Sequence, residues 1–481
     1  MLCAACSAEL PAATLSLLPG NPLTQLLLTT ANYDIPTLIP TLQELSALTN
    51  LRELRLAGLR PAPAQLACVL PALTSLTGLL LVEPSEEVVQ ALPACLQELA
   101  VVRGVDEDEN LIEEMLSVGH MTNLTALHLV GADTLDDEVL EQAGGVVYGA
   151  DGGTVWTSSV VLPSNLKWLS VEGVGDCGPL RPLKQLKHLR FVWAAPHFKG
   201  CLISDDLTCL TTLTRVELIQ RGQEPGALAE VGMWSELSAK VPLYVPSLHV
   251  EIPTDATQNR WGAFGGFRVL GTFTSLTCLV LSRRRARRAA ARAAAILTAA
   301  AAAGGNGVGA GAWLGGAEEL AGALAKLTNL CELQLEQVPA VSEGGAAAVG
   351  VDWLPVIQAV AGLPQLHELS VEGMPLGPSV SALSSVRSLT SLSLVKCQVD
   401  DAGMVGMVTG MQCSLRQLTV GRPRGLGDGG PMLTDAVLVA IVQQLTHLTR
   451  LCLEGQVLAP GAVTGLADLA RRGVVVDRWG I

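Results

Sequence analysis

The hexamer L-x-x-L-x-L recurs along this chain and restricts it to very few folds. In order, the copies read LRELRL from Leu51, LTGLLL from Leu76, LQELAV from Leu96, LTALHL from Leu124, LKWLSV from Leu166, LKHLRF from Leu186 and LTRVEL from Leu213. They continue as VPSLHV from Val245, LTCLVL from Leu276, LCELQL from Leu330, LHELSV from Leu366, LTSLSL from Leu389, LRQLTV from Leu415 and LTRLCL from Leu448. A degenerate copy, LTQLLL, begins at Leu23. The fourteen clear copies have forty-two key positions; all are apolar and thirty-four are leucine, which chance does not produce in a chain only 49% hydrophobic.

The last two leucines of each copy lie two residues apart and share one face of a short strand. The first anchors the turn that enters it. One such strand cannot bury its apolar face alone, whereas stacked copies build a parallel sheet over a continuous leucine core. Returning to the next parallel strand requires a crossover, usually helical. Helix starts are visible between copies, with a capping residue ahead of an apolar spacing. They are SEEVVQAL from Ser85, DDEVLEQA from Asp136, DDAGMVGMV from Asp400, and Thr434-Asp435 before AVLVAIVQQL.

This pattern resembles the leucine-rich repeat family from about Leu23 to Leu453, and the long crossovers resemble its ribonuclease-inhibitor-like class. The resemblance implies an α/β solenoid, a horseshoe with a concave parallel sheet of about 14–15 strands and helical or irregular convex crossovers. The family's usual asparagine, three residues after the last leucine, is missing; Leu59, Pro84, Gly104, Ala132 and Val174 stand there instead. Cys397 alone matches the cysteine variant of that position. Without an asparagine ladder the turns lose a regular set of hydrogen bonds to backbone groups. Irregular turns are expected.

The repeat spacing sets the domain reading. Residues 1–47 form an N-terminal segment with one degenerate repeat, 48–455 the repeat domain, and 456–481 a C-terminal cap. Two intervals are too long and mark insertions at about 144–160, which is glycine-rich, and 283–316. The second begins with six arginines in ten residues, Arg283 to Arg292, continues into alanine and ends in GGNGVGAG, Gly304–Gly311. It is too weakly apolar for a membrane span. Its arginines oppose the dipole of the helix they would start, and no aromatic residue is interleaved for base stacking. A partly helical surface insertion with a flexible glycine tail is the expectation, and the glycine run lacks the lysine and hydroxyl of a phosphate loop.

Charge narrows the partner class. The net charge is −14, and Glu83 to Glu141 holds fifteen acids against one base, Arg103. Such a surface repels phosphate and argues against general nucleic-acid binding. Twelve scattered cysteines suit free thiols in a reducing compartment. Cys3-x-x-Cys6 has no second ligand pair nearby, and no secretory or transit signature precedes Arg52. A cytoplasmic protein is expected, with the cytoskeleton, the ciliary axoneme or the nucleus as alternatives.

No catalytic motif and no cofactor signature is found, so the expectation is a non-enzymatic scaffold without cofactor or metal. Residues between and just after the leucines face away from the core and form columns across strands. One cluster combines Trp168, Ser170, Glu172, His188, Arg190, Arg215, Glu217, His249 and Glu251. A second has Glu332, Gln334, Glu336, Glu368, Ser370 and Glu372. His128, His188 and His249 are expected on this face but not on adjacent strands, which argues against a shared metal. The reading is a protein partner on the concave face, a basic one at the acidic end, with Trp168 the best single anchor. The alternatives are a small-GTPase regulator using Arg190 or Arg215, and nucleic-acid or nuclear-factor binding through Arg283–Arg292.

Overall fold

A computed structural model describes residues 2–6, 24–30, 45–57, 63–82, 84–103, 117–131, 161–172, 180–194, 207–221, 241–253, 266–284, 316–336, 352–412, 414–421, 434–454 and 460–479. The chain divides into two compact units, residues 1–222 and 223–481. Each is a one-dimensional stack of strand and crossover, the leucine-rich repeat solenoid.

In the first unit the strands are β1 Leu2–Cys6, β2 Gln25–Thr30, β3 Glu53–Ala57, β4 Gly78–Val82, β5 Glu98–Arg103, β6 Ala126–Gly131, β7 Trp168–Glu172, β8 His188–Ala194 and β9 Arg215–Arg221. The second holds β10 Ser247–Pro253, β11 Cys278–Arg284, β12 Glu332–Glu336, β13 Glu368–Glu372, β14 Ser391–Val395, β15 Gln417–Gly421, β16 Arg450–Glu454 and β17 Val475–Trp479. Within each unit every strand pairs in parallel with the next in sequence. The hexamers set the register: Leu99 faces Leu127, and Leu333 faces Leu369.

The leucine pattern reaches further back than the hexamer. Leu45, Leu48, Leu51, Leu54 and Leu56 are all buried, and so are Leu324, Leu327, Leu330, Leu333 and Leu335. The amide of Leu48 bonds the Leu45 carbonyl at 2.9 Å, and that of Leu51 bonds Leu48 at 2.9 Å. These i to i−3 bonds have the 3₁₀ pitch, which stacks every third side chain on one edge. The approach to the strand is therefore an apolar column in its own right.

Except in the Val245 copy, where position two is Pro246 and has no N–H, the amides of positions two and three of each clear hexamer both donate to one carbonyl of the preceding repeat. Thr77 and Gly78 converge on the Arg52 carbonyl, each at 2.8 Å; Cys331 and Glu332 converge on Thr277 at 2.8 and 2.9 Å. Where position two is threonine, its hydroxyl adds a third donor. Thr77, Thr125, Thr214, Thr277, Thr390 and Thr449 do so at 3.0–3.3 Å. Asparagines one residue ahead of the hexamer span the turns: Asn123 donates to Ala94 at 2.8 Å, Asn329 to Thr274 at 2.9 Å, and Asn165 to Thr122. The missing family asparagine thus has a regular substitute on the entering side of the strand. Cys397 keeps the other role. Its buried thiol donates to the Val371 carbonyl at 3.3 Å, and burial pushes its pKa up to about 12.

The described crossovers of the first unit include α1 Pro63–Val69 and α2 Glu86–Gln90. In the second are α3 Gly266–Leu270, α4 Gly316–Leu324, α5 Leu354–Ala361, α6 Asp401–Gly410, α7 Asp435–Gln444 and α8 Pro460–Arg471. Ser85 and Asp400 cap α2 and α6, accepting from the Val88 amide at 3.5 Å and the Gly403 amide at 2.6 Å. Thr434 makes no such side-chain cap; its amide instead donates to Asp401 at 3.4 Å. Between β13 and β14 a 3₁₀ segment, Pro378–Ser385, replaces the α-helix. Helix α6 lies against this segment closely enough to need glycines. A Cβ on Gly410 would stand 2.6 Å from the Ser384 carbonyl oxygen, and one on Gly403 would stand 2.8 Å from Val380.

Two strands have no hexamer. β1 precedes the degenerate copy, and β17 lies in the segment read as a cap. β17 is created by the end of α8: Gly473, at φ 83°, stops the helix, and the Val474 amide reaches back to Leu469 at 3.1 Å. This is the left-handed glycine stop that commonly ends helices. Arg472 then bonds the Val442 and Leu445 carbonyls at 2.6 and 2.8 Å, closing the end of α7. Arg283 and Arg284 are the last residues of β11, and Gly316 begins α4. The intervening residues 285–315, the 144–160 insertion and the Asp136 helix start lie outside the described residues.

Substitutions at two helix glycines separate the packing role from propensity. Gly410→Ala should lower the melting temperature, by the equivalent of about 1–3 kcal/mol for overpacking. A Cβ on Gly322 of α4 meets nothing within 4 Å, so Gly322→Ala should stabilise by about 0.5–1 kcal/mol. Thermal melts of both variants check this; equal effects would contradict it.

Candidate functional site

The face opposite the buried leucines carries hexamer positions three and five. In the first unit this face holds a connected row of polar and aromatic groups over β5 to β9. His128 Nε2 lies 3.5 Å from Glu98 Oε1. Trp168 packs between two imidazoles, with ring centroids 5.9 Å from His128 and 3.7 Å from His188. His188 Nε2 is 3.0 Å from Glu217 Oε1, and Arg215 Nη2 is 2.8 Å from the same oxygen. Arg190 Nε approaches the other oxygen at 3.5 Å. Three basic groups therefore converge on one carboxylate.

Several of these contacts share one diagonal across the twisted parallel sheet. On that diagonal the side chain at position n of one strand meets position n+2 of the next, whereas Arg190 meets Glu217 straight across. Glu98 at three meets His128 at five, and His188 at three meets Glu217 at five. In the second unit, Arg450 at three meets Asp477 at five of its neighbour, at 2.8 Å. His249 at five meets Ser282 at seven, at 3.0 Å.

Burial divides the row. Ser170, His188 and Glu217 are buried, with Glu217 only 8% exposed, while Trp168 keeps 38% of its surface open. A buried carboxylate is tolerable because it is matched by adjacent cations. The guanidinium of Arg215 is half exposed and that of Arg190 a quarter exposed. Glu217 thus holds both arginines at the surface beside the indole. The sequence reading took His188 and Glu217 as surface groups; they are covered by their neighbours and act as supports. Glu172 lies in β7 opposite Val192, but its side chain and that of Glu251 are outside the described set. His249 belongs to the second unit, with Ser282 as partner.

In the second unit, register puts Glu332 opposite Glu368 and Glu336 opposite Glu372, with Gln334 opposite Ser370. Four carboxylates thus stand in two facing pairs. The diagonal position ahead of Glu332 is Ser370, and ahead of Glu368 it is Ser393, so the n+2 diagonal supplies neither with a cation. Glu372 is paired with Lys396, which sequence reading missed. The available sign was conformational: Lys396 is a non-glycine residue at φ 54° in the turn after β14.

No protein-family model matches the chain, and no curated protein sequence matches it. Among solved structures it is similar to an internalin of Listeria monocytogenes, at 13% identity over 98% of this chain and 88% of that one, with a TM-score of 0.31. It is also similar to the mouse RP105/MD-1 complex, at 13% identity and a TM-score of 0.36. That match covers 89% of this chain and 63% of the other, so this chain spans less than two thirds of it. At these values nothing about function transfers. The repeat geometry described above defines the fold.

Among the described residues no group of three or more His, Cys, Asp or Glu side chains could hold a metal ion. No helix among them is long and apolar enough to cross a membrane.

The Glu98–His128 contact makes a pH prediction. The hydrogen bond from His128, reinforced by the charges of His128 and Arg55, holds the Glu98 carboxyl below its ordinary 4.5 against the opposing effect of burial. A depressed carboxyl stabilises the fold above its unfolded pKa and loses that contribution as the pH falls through the folded value. Glu98→Gln should therefore lower the melting temperature near neutral pH and leave it unchanged well below pH 4.5. An equal loss at both pH values would contradict the assignment.

Proposed function

We propose that this protein is a non-enzymatic interaction scaffold that binds a protein partner on the open face of its repeat sheets. The observation that carries this reading is Trp168, a large apolar ring left 38% exposed on an ordered strand and gripped by two imidazoles. Exposed, preorganised tryptophans are typical binding anchors. The contact set on the first unit is Trp168, Glu172, Arg190 and Arg215, with His188 and Glu217 beneath them as supports. On the second it is Glu332, Gln334, Glu336, Glu368 and Glu372, where facing carboxylates favour a basic partner. The long helical crossovers support the reading that these repeats are of the ribonuclease-inhibitor-like class. The scattered free thiols favour the cytoplasm, with the cytoskeleton, cilium or nucleus as alternatives that fluorescent tagging separates.

Small-GTPase regulation is the second reading. It requires an arginine delivered to a bound nucleotide, and Arg190 and Arg215 are both engaged with Glu217. Nucleic-acid binding through Arg283–Arg292 depends on residues that lie, beyond Arg284, outside the described set.

A pull-down from native extract with wild-type protein and a variant carrying lysine at Glu332, Glu336, Glu368 and Glu372 tests the scaffold reading. A basic partner should be captured by wild type and lost from the variant. Capture that survives the quadruple reversal and also Trp168→Ala would remove both faces as binding sites.

A further inference from the structure

One end of the first unit, β7 to β9, presents the opposite charge on its open face. Strands β7 to β9 carry Arg190 and Arg215, and Lys167 and Lys187 stand exposed at the entrances to β7 and β8. Among the described side chains of these strands the one carboxylate is Glu217, and it is buried. In a chain of net charge −14 this is a local reversal. It surrounds the exposed indole of Trp168.

We propose that this patch binds an extended acidic peptide segment of a partner protein, with an apolar side chain on Trp168 and a carboxylate three positions away on Arg215. The inference rests on the scaffold reading and gives this face the opposite partner chemistry to the acidic face of the second unit. The spacing follows from the fold. Trp168, His188 and Arg215 are directly opposite one another in register on three adjacent strands. At about 4.8 Å per strand, Trp168 and Arg215 are separated by roughly 10 Å. Three residues of extended chain, at about 3.3 Å each, cover the same distance. A peptide crossing the strands therefore sets its side chains i and i+3 over the indole and the guanidinium.

Glu217 supplies the preorganisation. It fixes Arg215 at 2.8 Å and Arg190 at 3.5 Å, so neither long side chain has to be immobilised from a free state when the ligand arrives. A planar guanidinium also donates two parallel hydrogen bonds to a carboxylate, a geometry that an ammonium cannot provide. The position of Glu217 selects against nucleic acid. The cations of the patch stand on β7 to β9 with that carboxylate among them, and Glu98 lies on β5 beyond them. A polyphosphate running past this patch meets negative charge on its path.

The test is fluorescence anisotropy on the full-length protein with three labelled probes. They are a peptide repeating Leu-x-x-Glu, the same peptide with lysine for glutamate, and a single-stranded oligo-dT. The acidic peptide should bind and weaken steadily with added salt. Trp168→Ala and Arg215→Gln should each weaken it about tenfold, with circular dichroism unchanged from wild type. Neither substitution should alter binding of the lysine peptide, which reports the second unit. Acidic-peptide binding that is indifferent to both substitutions overturns the proposal, and so does tighter binding of oligo-dT at the same patch. Binding of the lysine peptide alone overturns this proposal and leaves the scaffold reading in place, whereas failure of both peptides removes both.

Discussion

The structure depends on one recurrent backbone arrangement: in thirteen of the fourteen clear hexamers, two successive amides entering the strand donate to a single carbonyl of the repeat before. That bond pair, seen at Arg52, Thr277 and throughout the ladder, fixes where each strand starts relative to its neighbour. A slip of one residue would turn every leucine to the open face and every polar group to the core. The leucines make such a slip costly, because each buried side chain contributes on the order of 2 kcal/mol by its removal from water. The hydroxyls of position-two threonines and the asparagines ahead of the hexamer reinforce the same register with bonds between repeats.

Once register is fixed, the open face is determined. A side chain at position three can reach position five of the next strand, so a position-three carboxylate gains a partner on that diagonal when the next repeat has a base two positions further on. Glu98, His188 and Arg450 satisfy that condition. Glu332 and Glu368 do not, since serines stand at their diagonal positions. That diagonal joins His188 to Glu217 in the internally paired patch around Trp168 and leaves a carboxylate surplus on β12 and β13. The contrast arises from single-residue choices within otherwise uniform repeats.

Much of this was legible in the sequence. The hexamers located all but two strands of the ladder, and the capping signals at Ser85 and Asp400 located helices. β1 was hidden because LCAAC has no leucine spacing. β17 was hidden because its cause is Gly473 at the end of the preceding helix, and a reading centred on leucines passes over that glycine. The site residues were legible as types but not as partners. His188 and Glu217 stand at positions three and five of successive hexamers and belong to no sequence motif that pairs them; they meet diagonally, His188 lying opposite Arg215 in register. Lys396 was missed because its approach to Glu372 depends on a left-handed turn residue. The register of Glu332 with Glu368 needed only hexamer alignment and was readable.

The central claim is that recognition occurs on the open sheet face and not on the outer helices, where Leu354 and Val439 also leave apolar surface exposed. Hydroxyl-radical footprinting of the full chain, with and without the acidic Leu-x-x-Glu peptide, distinguishes these surfaces directly. Oxidation of Trp168 should slow when the peptide is bound, while Leu354 and Val439 react unchanged. Protection confined to Leu354 and Val439, with Trp168 reacting as in the free protein, would contradict the account.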